Sequence, residues 1–190
     1  MATLKTPITP RDHRRGDPKA LVTLVEYGDY QCPHCAAAHP VVRELLRSFD
    51  EDLALVYRHF PLAEVHPLAA TAAEAAEFAG AHGAFWDMHE ALFANQPVLS
   101  LSAIFGIAEA LGLSQADLHR ALSAETCTNK VLEDFMGGVR SGVNGTPCFF
   151  INGLRHDGAH GFSELAAAIT AALPAAPRPR RTDKPHHLRP

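Results

Sequence analysis

The spacing of apolar residues changes along the chain. Residues 21–27 (LVTLVEY) are nearly continuous in apolar and β-branched side chains and have the length of a buried strand. From 33 to 49 the period lengthens to three and four, with Val41, Val42, Leu45, Leu46 and Phe49 on one stripe. That spacing predicts a helix, kinked by Pro40 near its second turn. A second strand is predicted over 53–60, ended by Pro61. Residues 67–142 are then alanine-rich and helical in period. They read as helices over 67–81, 84–93 and 102–111, a fourth starting at Ser114 with a capping sequence, and a last over 130–139. A short strand over 148–151 follows. Asn152-Gly153 is a two-residue hairpin signal before a return strand over 154–157, and 163–173 reads as a closing helix.

A helical block between two groups of strands predicts an α/β domain, residues 21–62 and 143–173, carrying an inserted all-helical domain over 63–142. Residues 1–20 form a polar N-terminal segment. Residues 174–190, rich in proline, arginine and histidine, are expected to be disordered. No internal repeat is present.

At 190 residues the chain is long enough for a proper core, and its net charge of −4 argues against nucleic-acid or membrane-surface partners. No apolar run reaches the length of a membrane span. The opening twenty residues lack the apolar core of a secretory signal, so a cytoplasmic location is expected.

The chemistry is concentrated at Cys32-Pro33-His34-Cys35, directly after the first strand and at the start of the first helix. Cysteines at i and i+3 in a first helical turn can close a disulfide. The outer one sits where free amides and the positive end of the helix dipole favour a thiolate, the species that exchanges disulfides. A helix terminus contributes only about 0.3–2 kcal/mol, so a strongly lowered pKa needs donors to the sulfur as well. Pro33 has no N–H. The candidates are the amides of His34 and Cys35 and the His34 imidazole. A Cys-x-x-Cys can also be half of a zinc site, but the paired second half is missing, because Cys127 and Cys148 stand alone. Histidines 34, 39, 59, 66, 82 and 89 show no repeated ligand spacing and are assigned surface or capping roles. No metal site is expected, with His186-His187 in the tail at most a weak binder. Phe85 and Trp86 are assigned to core packing.

The strand, Cys-Pro-His-Cys and helix, the distant Gly145-Thr146-Pro147 before 148–153, and the intervening Arg58-His59-Phe60-Pro61-Leu62, His66-Pro67 and Phe85-Trp86-Asp87-Met88-His89 together resemble the thioredoxin fold. The Pro-His pair is similar to its DsbA-type branch, and the resemblance spans about residues 20–172. It implies a thioredoxin fold with an inserted helical domain. Cys32 would be an exposed nucleophile and Cys35 the resolving thiol. Glu26 would be a buried acid beneath them that moves protons; read from the residues alone, it could equally be a surface glutamate at a strand end. Pro147 matches the family's cis-proline, and Thr146 the residue whose backbone binds an extended substrate segment by strand addition. Cys148 alternates with Phe150 and reads as a core thiol, or as a third redox thiol if it faces the dithiol.

The function implied is thiol–disulfide exchange with protein or peptide thiols and disulfides, without a cofactor. A low-molecular-weight thiol or a thioredoxin system would be the redox partner. In the cytoplasm such a pair rests reduced, so flux toward oxidase, isomerase or reductase stays open. The alternatives are a non-catalytic binding module on the same fold, or a glutathione-dependent isomerase or transferase. The latter usually carries serine where this chain has Cys32.

Overall fold

The computed structural model describes residues 2–174, so the disorder expected over 174–190 lies, Pro174 apart, outside the described residues. Five strands, β1 (His13–Gly16), β2 (Val22–Gly28), β3 (Leu53–His59), β4 (Cys148–Ile151) and β5 (Leu154–His156), form one mixed sheet in the order β1-β3-β2-β4-β5. β2 and β3 are parallel and the other pairs antiparallel. The helices are α1 (Pro33–Phe49), α2 (Ala69–Ala81), α3 (Phe85–Ala94), α4 (Leu101–Ala110), α5 (Gln115–Ser123), α6 (Thr128–Arg140) and α7 (Phe162–Ala172). The arrangement is the α/β fold with a helical insertion that the sequence resemblance implies.

β2 and β3 are buried on both faces and accordingly read as continuous apolar runs. Val22, Leu24, Leu53, Leu55, Phe149 and Ile151 pack under α1 and α7. The alternate residues Val25, Tyr27, Val56, Cys148 and Phe150 form a separate core with Phe60 and Phe135. There α6 comes very close: a Cβ on Gly138 would lie 2.7 Å from the Phe60 ring, so only glycine lets helix and sheet meet. The insertion has its own core, formed by Ala72, Ala76, Met88, Leu92, Ile104 and Leu118, which continues to Tyr30, Tyr57 and both cysteines of the dithiol. Trp86 packs between this core and that of α1, and its indole N–H donates to the Arg14 carbonyl at 3.2 Å.

β1 is an element the apolar pattern does not predict. Its sequence, HRRG, is polar, yet it pairs with β3 as an edge strand, and Thr3 bridges to Leu154 on the opposite edge. The hairpin at Asn152-Gly153 forms as expected, with φ +47° and +80° at the two residues, the left-handed pair such a turn requires. Ser114 caps α5 by accepting from the Asp117 amide.

Candidate active site

Cys32 occupies the N-cap position of α1, with extended backbone, and Pro33 takes the first helical position, where no N–H is needed. This places the free amides of His34 and Cys35 at the Cys32 sulfur. Its thiol is lowered to about 5 by the Cys35 thiol first, then by the Thr146 hydroxyl and the amides of Cys35 and His34, against the opposing effect of burial. In the thiol form the Thr146 hydroxyl is buried without a hydrogen-bond partner, and Cys32 donates to the Thr146 carbonyl at 3.3 Å. Cys35 behaves oppositely. Burial, the Cys32 sulfur and Glu26 push its thiol well above the ordinary range, so the pair shares one thiolate, carried by Cys32.

The expected exposure of Cys32 is corrected. Only 3% of the residue is accessible, whereas Pro33 and His34 are exposed. The loop carrying the cis Thr146–Pro147 bond covers it on one side. Gln96 closes another, its side-chain amide donating to the carbonyls of Cys32 at 3.0 Å and Tyr30 at 2.9 Å.

Glu26 is buried rather than at the surface. It shares a sheet face with Val22 and Leu24, which pack against α1, and it lies between Tyr57 and Phe149 in register. Its Oε1 has no hydrogen-bond partner, and burial raises its carboxyl to about 8. It is thus a neutral acid at pH 7 that is electrostatically coupled to Cys35. The structure therefore brings Glu26, Cys32, Pro33, His34, Cys35, Thr146 and Pro147 together at one end of the sheet. The His34 imidazole lies outside the donor set at the sulfur. It lines an open cleft of about 460 Å³ with Asn144, Thr146, His156 and His160. Cys148 belongs to the core on the α6 side of the sheet, and burial raises its thiol, so it is a core thiol. Cys127 lies against the core of the insertion with its thiol likewise raised.

Two residues of the site were not predicted. Asp29 is fully buried and accepts from the amides of Gln31 (2.7 Å) and Leu62 (2.9 Å) and pairs with His66 Nδ1 (2.7 Å), which fixes the loop into α1. Its position in Gly28-Asp29-Tyr30 before a helix carries a readable turn signal. Gln96 carries none, because its role depends on where the insertion packs.

A family model described as Thioredoxin matches residues 8–171. Among solved structures, a thioredoxin-like oxidoreductase from Silicibacter pomeroyi DSS-3 is 30% identical, covering 86% of this chain and 93% of that one at a TM-score of 0.75. BdbD from Bacillus subtilis superposes at 0.80 with 22% identity, over 90% and 97% of the two chains. The alpha-DsbA1 protein of Wolbachia pipientis superposes at 0.76 with 22% identity, over 89% and 94%. Among curated relatives, a protein named Na(+)/H(+) antiporter NhaA 1 from Salinispora arenicola is 45% identical over 98% of this chain. The chain spans 29% of that protein's length. Among the described residues no helix is long and apolar enough to cross a membrane.

Proposed function

The chain belongs to the thioredoxin family, and on that basis we propose that it is a DsbA-type thiol–disulfide oxidoreductase acting on protein or peptide substrates. The observation that carries this is the divided pair. Cys32 is a thiolate at neutral pH, and Cys35 behind it is held as a thiol. The Cys32 thiolate attacks one sulfur of a substrate disulfide, the S–S bond breaks, and the departing sulfur takes up a proton. Cys35 then gives its proton to Glu26, in the minor fraction of molecules whose carboxyl is ionised at pH 7, and attacks Cys32, which releases the second substrate thiolate and forms the Cys32–Cys35 disulfide. Once its second thiolate is protonated the substrate has gained two electrons from the dithiol and two protons, one of them the Cys35 proton returned by way of Glu26 and the other from water, because Cys32 enters as a thiolate. Run backward, the same steps oxidise a dithiol. An extended substrate would pair with the Thr146 backbone, opposite Cys32.

The test is the equilibrium of the Cys32/Cys35 pair with glutathione buffers, read by alkylation and intact mass. A potential nearer about −120 mV assigns oxidase or isomerase work, and one near about −270 mV a reductase. Failure to form the disulfide, or Cys32 inert to iodoacetamide at neutral pH, overturns the proposal in favour of a binding module. Cys35→Ser is expected to trap mixed disulfides with protein substrates. Trapping glutathione alone would favour the glutathione-dependent reading. The cytoplasmic expectation belongs to the same proposal: alkylation of whole cells on lysis is expected to find the pair reduced, and an oxidised resting pair would overturn it.

The antiporter-named relatives favour a second reading, in which this domain is a thiol-exchange module within a longer transport protein. Ion exchange by such a protein would then follow the glutathione poise; indifference to that poise removes the reading.

A further inference from the structure

The sheet brings together three side chains that the dithiol does not use. β1 runs antiparallel to β3 with His13 opposite Tyr57, so His13 and His59, diagonal across the two strands, project from the same face. α2 lies over that face and supplies Glu77. Its Oε1 is 2.8 Å from His13 Nε2 and 2.9 Å from His59 Nε2, and the ligand atoms of all three residues lie within 4.8 Å of one another. Each imidazole thus aims the same nitrogen at one point.

Packing holds the rings there. His13 lies flat on Phe85, with centroids 3.3 Å apart and planes 4° apart. His59 is wedged edge-on among Tyr57, Tyr30 and Phe85 at 5.6–6.0 Å. The side chains of His59, Glu77 and His13 are 1%, 11% and 18% exposed, which leaves His13 as the solvent side of the cluster. The carboxylate is held ionised by its two imidazole partners. The second nitrogen of His59, Nδ1, is buried without a partner, so nothing locks the ring as the Nε2–H tautomer.

We propose that His13, His59 and Glu77 form a binding site for a zinc-like divalent transition-metal ion. Two imidazoles and a carboxylate are a known zinc donor set, with water in the fourth position. Zinc–ligand bonds of about 2.0–2.2 Å place neighbouring ligand atoms about 3.3 Å apart, so Glu77 must withdraw by about half an ångström from its present contacts. On binding, each Nε2 offers its lone pair and the ring proton resides on Nδ1. No electron transfer is involved. The ion would fasten β1, β3 and α2 to one another, tying the N-terminal strand and the insertion to the sheet. The three ligands are 46 and 18 residues apart in sequence and lie on three different elements, which is why a search for ligand spacing expects no metal here.

The test uses the full chain carrying Cys32→Ser, Cys35→Ser, His186→Ala and His187→Ala, so that neither the dithiol nor the tail competes. Zinc is titrated against a chromophoric chelator and the melting temperature is followed in parallel. The expected result is saturable binding of one zinc per chain that raises the melting temperature. His13→Gln and Glu77→Gln are each expected to weaken binding by about a hundredfold or more, beyond what loss of an outer partner of a metal ligand costs. His13→Gln removes a half-buried ring on an edge strand and tests the site even if the Glu77 variant does not fold. No saturable binding, or binding that survives His13→Gln unchanged, overturns the proposal. Neither outcome bears on thiol exchange, because the background protein has no dithiol.

Discussion

Glu26 and Glu77 are both glutamates removed from solvent inside one small protein, and they are driven in opposite directions. Glu26 has hydrocarbon and ring neighbours, an oxygen without a partner, and a carboxyl raised to about 8. Glu77 is also desolvated, yet two imidazoles within 2.9 Å hold it below the usual carboxylate range. Burial acts in the same sense on both, so the partners decide the outcome. One acid is left able to change protonation under a reacting thiol; the other is fixed as an anion that joins three elements. The cysteines repeat the contrast in sulfur. Cys32 has donors and Cys35 has burial, and only the former is a thiolate at neutral pH.

The largest effect should separate the two regions by chemistry. Cys32→Ser, above Glu26, is expected to reduce disulfide exchange to the uncatalysed background, whereas Glu77→Gln should leave the exchange rate of the folded protein nearly unchanged. An insulin-reduction or glutathione-exchange assay on both variants checks this. An active Cys32→Ser protein would remove the site assignment, and an inactive but folded Glu77→Gln protein would merge the two regions.

Next in size is the pH dependence of stability, where the two acids carry opposite signs. Glu26 has a folded pKa above its unfolded value of 4.5, so its own contribution to folding is complete below pH 4.5. Stability should then fall by about 1.4 kcal/mol per pH unit up to about pH 8, an upper bound of 3–5 kcal/mol in all. Glu26→Gln should flatten that slope in denaturant titrations from pH 5 to 8. Glu77 has a lowered folded pKa, so its contribution is complete above pH 4.5 and is lost as the pH falls below it. Glu77→Gln should therefore cost about 1–3 kcal/mol at pH 7 and progressively less in acid. Parallel pH profiles for the two variants would break the comparison.

How much of this was legible in the sequence depended on whether the signal was local. α1 was predicted over the residues it occupies, because Cys-Pro at a strand end and a three-four apolar stripe are local features. β4 and its hairpin were equally legible through a short apolar run and Asn-Gly. β1 was not, because an edge strand with polar sides has no apolar pattern to show. The composition of the dithiol site followed from the resemblance, but the burial of Glu26 did not follow from its residues alone. Its neighbours in register, Tyr57 and Phe149, are 31 and 123 positions away in the chain. The same holds for Gln96 and for the His13–His59–Glu77 cluster, which exist only once β1 and α2 meet across β3.

The smallest effects test whether donors, rather than the Pro-His pair as such, set the Cys32 thiolate. Thr146→Val keeps the shape and the carbonyl but removes the hydroxyl at the sulfur, and should raise the Cys32 pKa by up to about one unit, or 1.4 kcal/mol. His34→Ala keeps the amide that reaches the sulfur and removes only an exposed ring, whose influence water screens. Its shift should have the same sign, making the disulfide harder to reduce, but should be the smaller of the two. Thiolate absorbance followed through a pH titration of each reduced variant measures both. If His34→Ala moves the pKa further than Thr146→Val, the imidazole is a principal donor, and the rule drawn from the two glutamates, that contacting partners outweigh surroundings, would fail at the sulfur where the chemistry occurs.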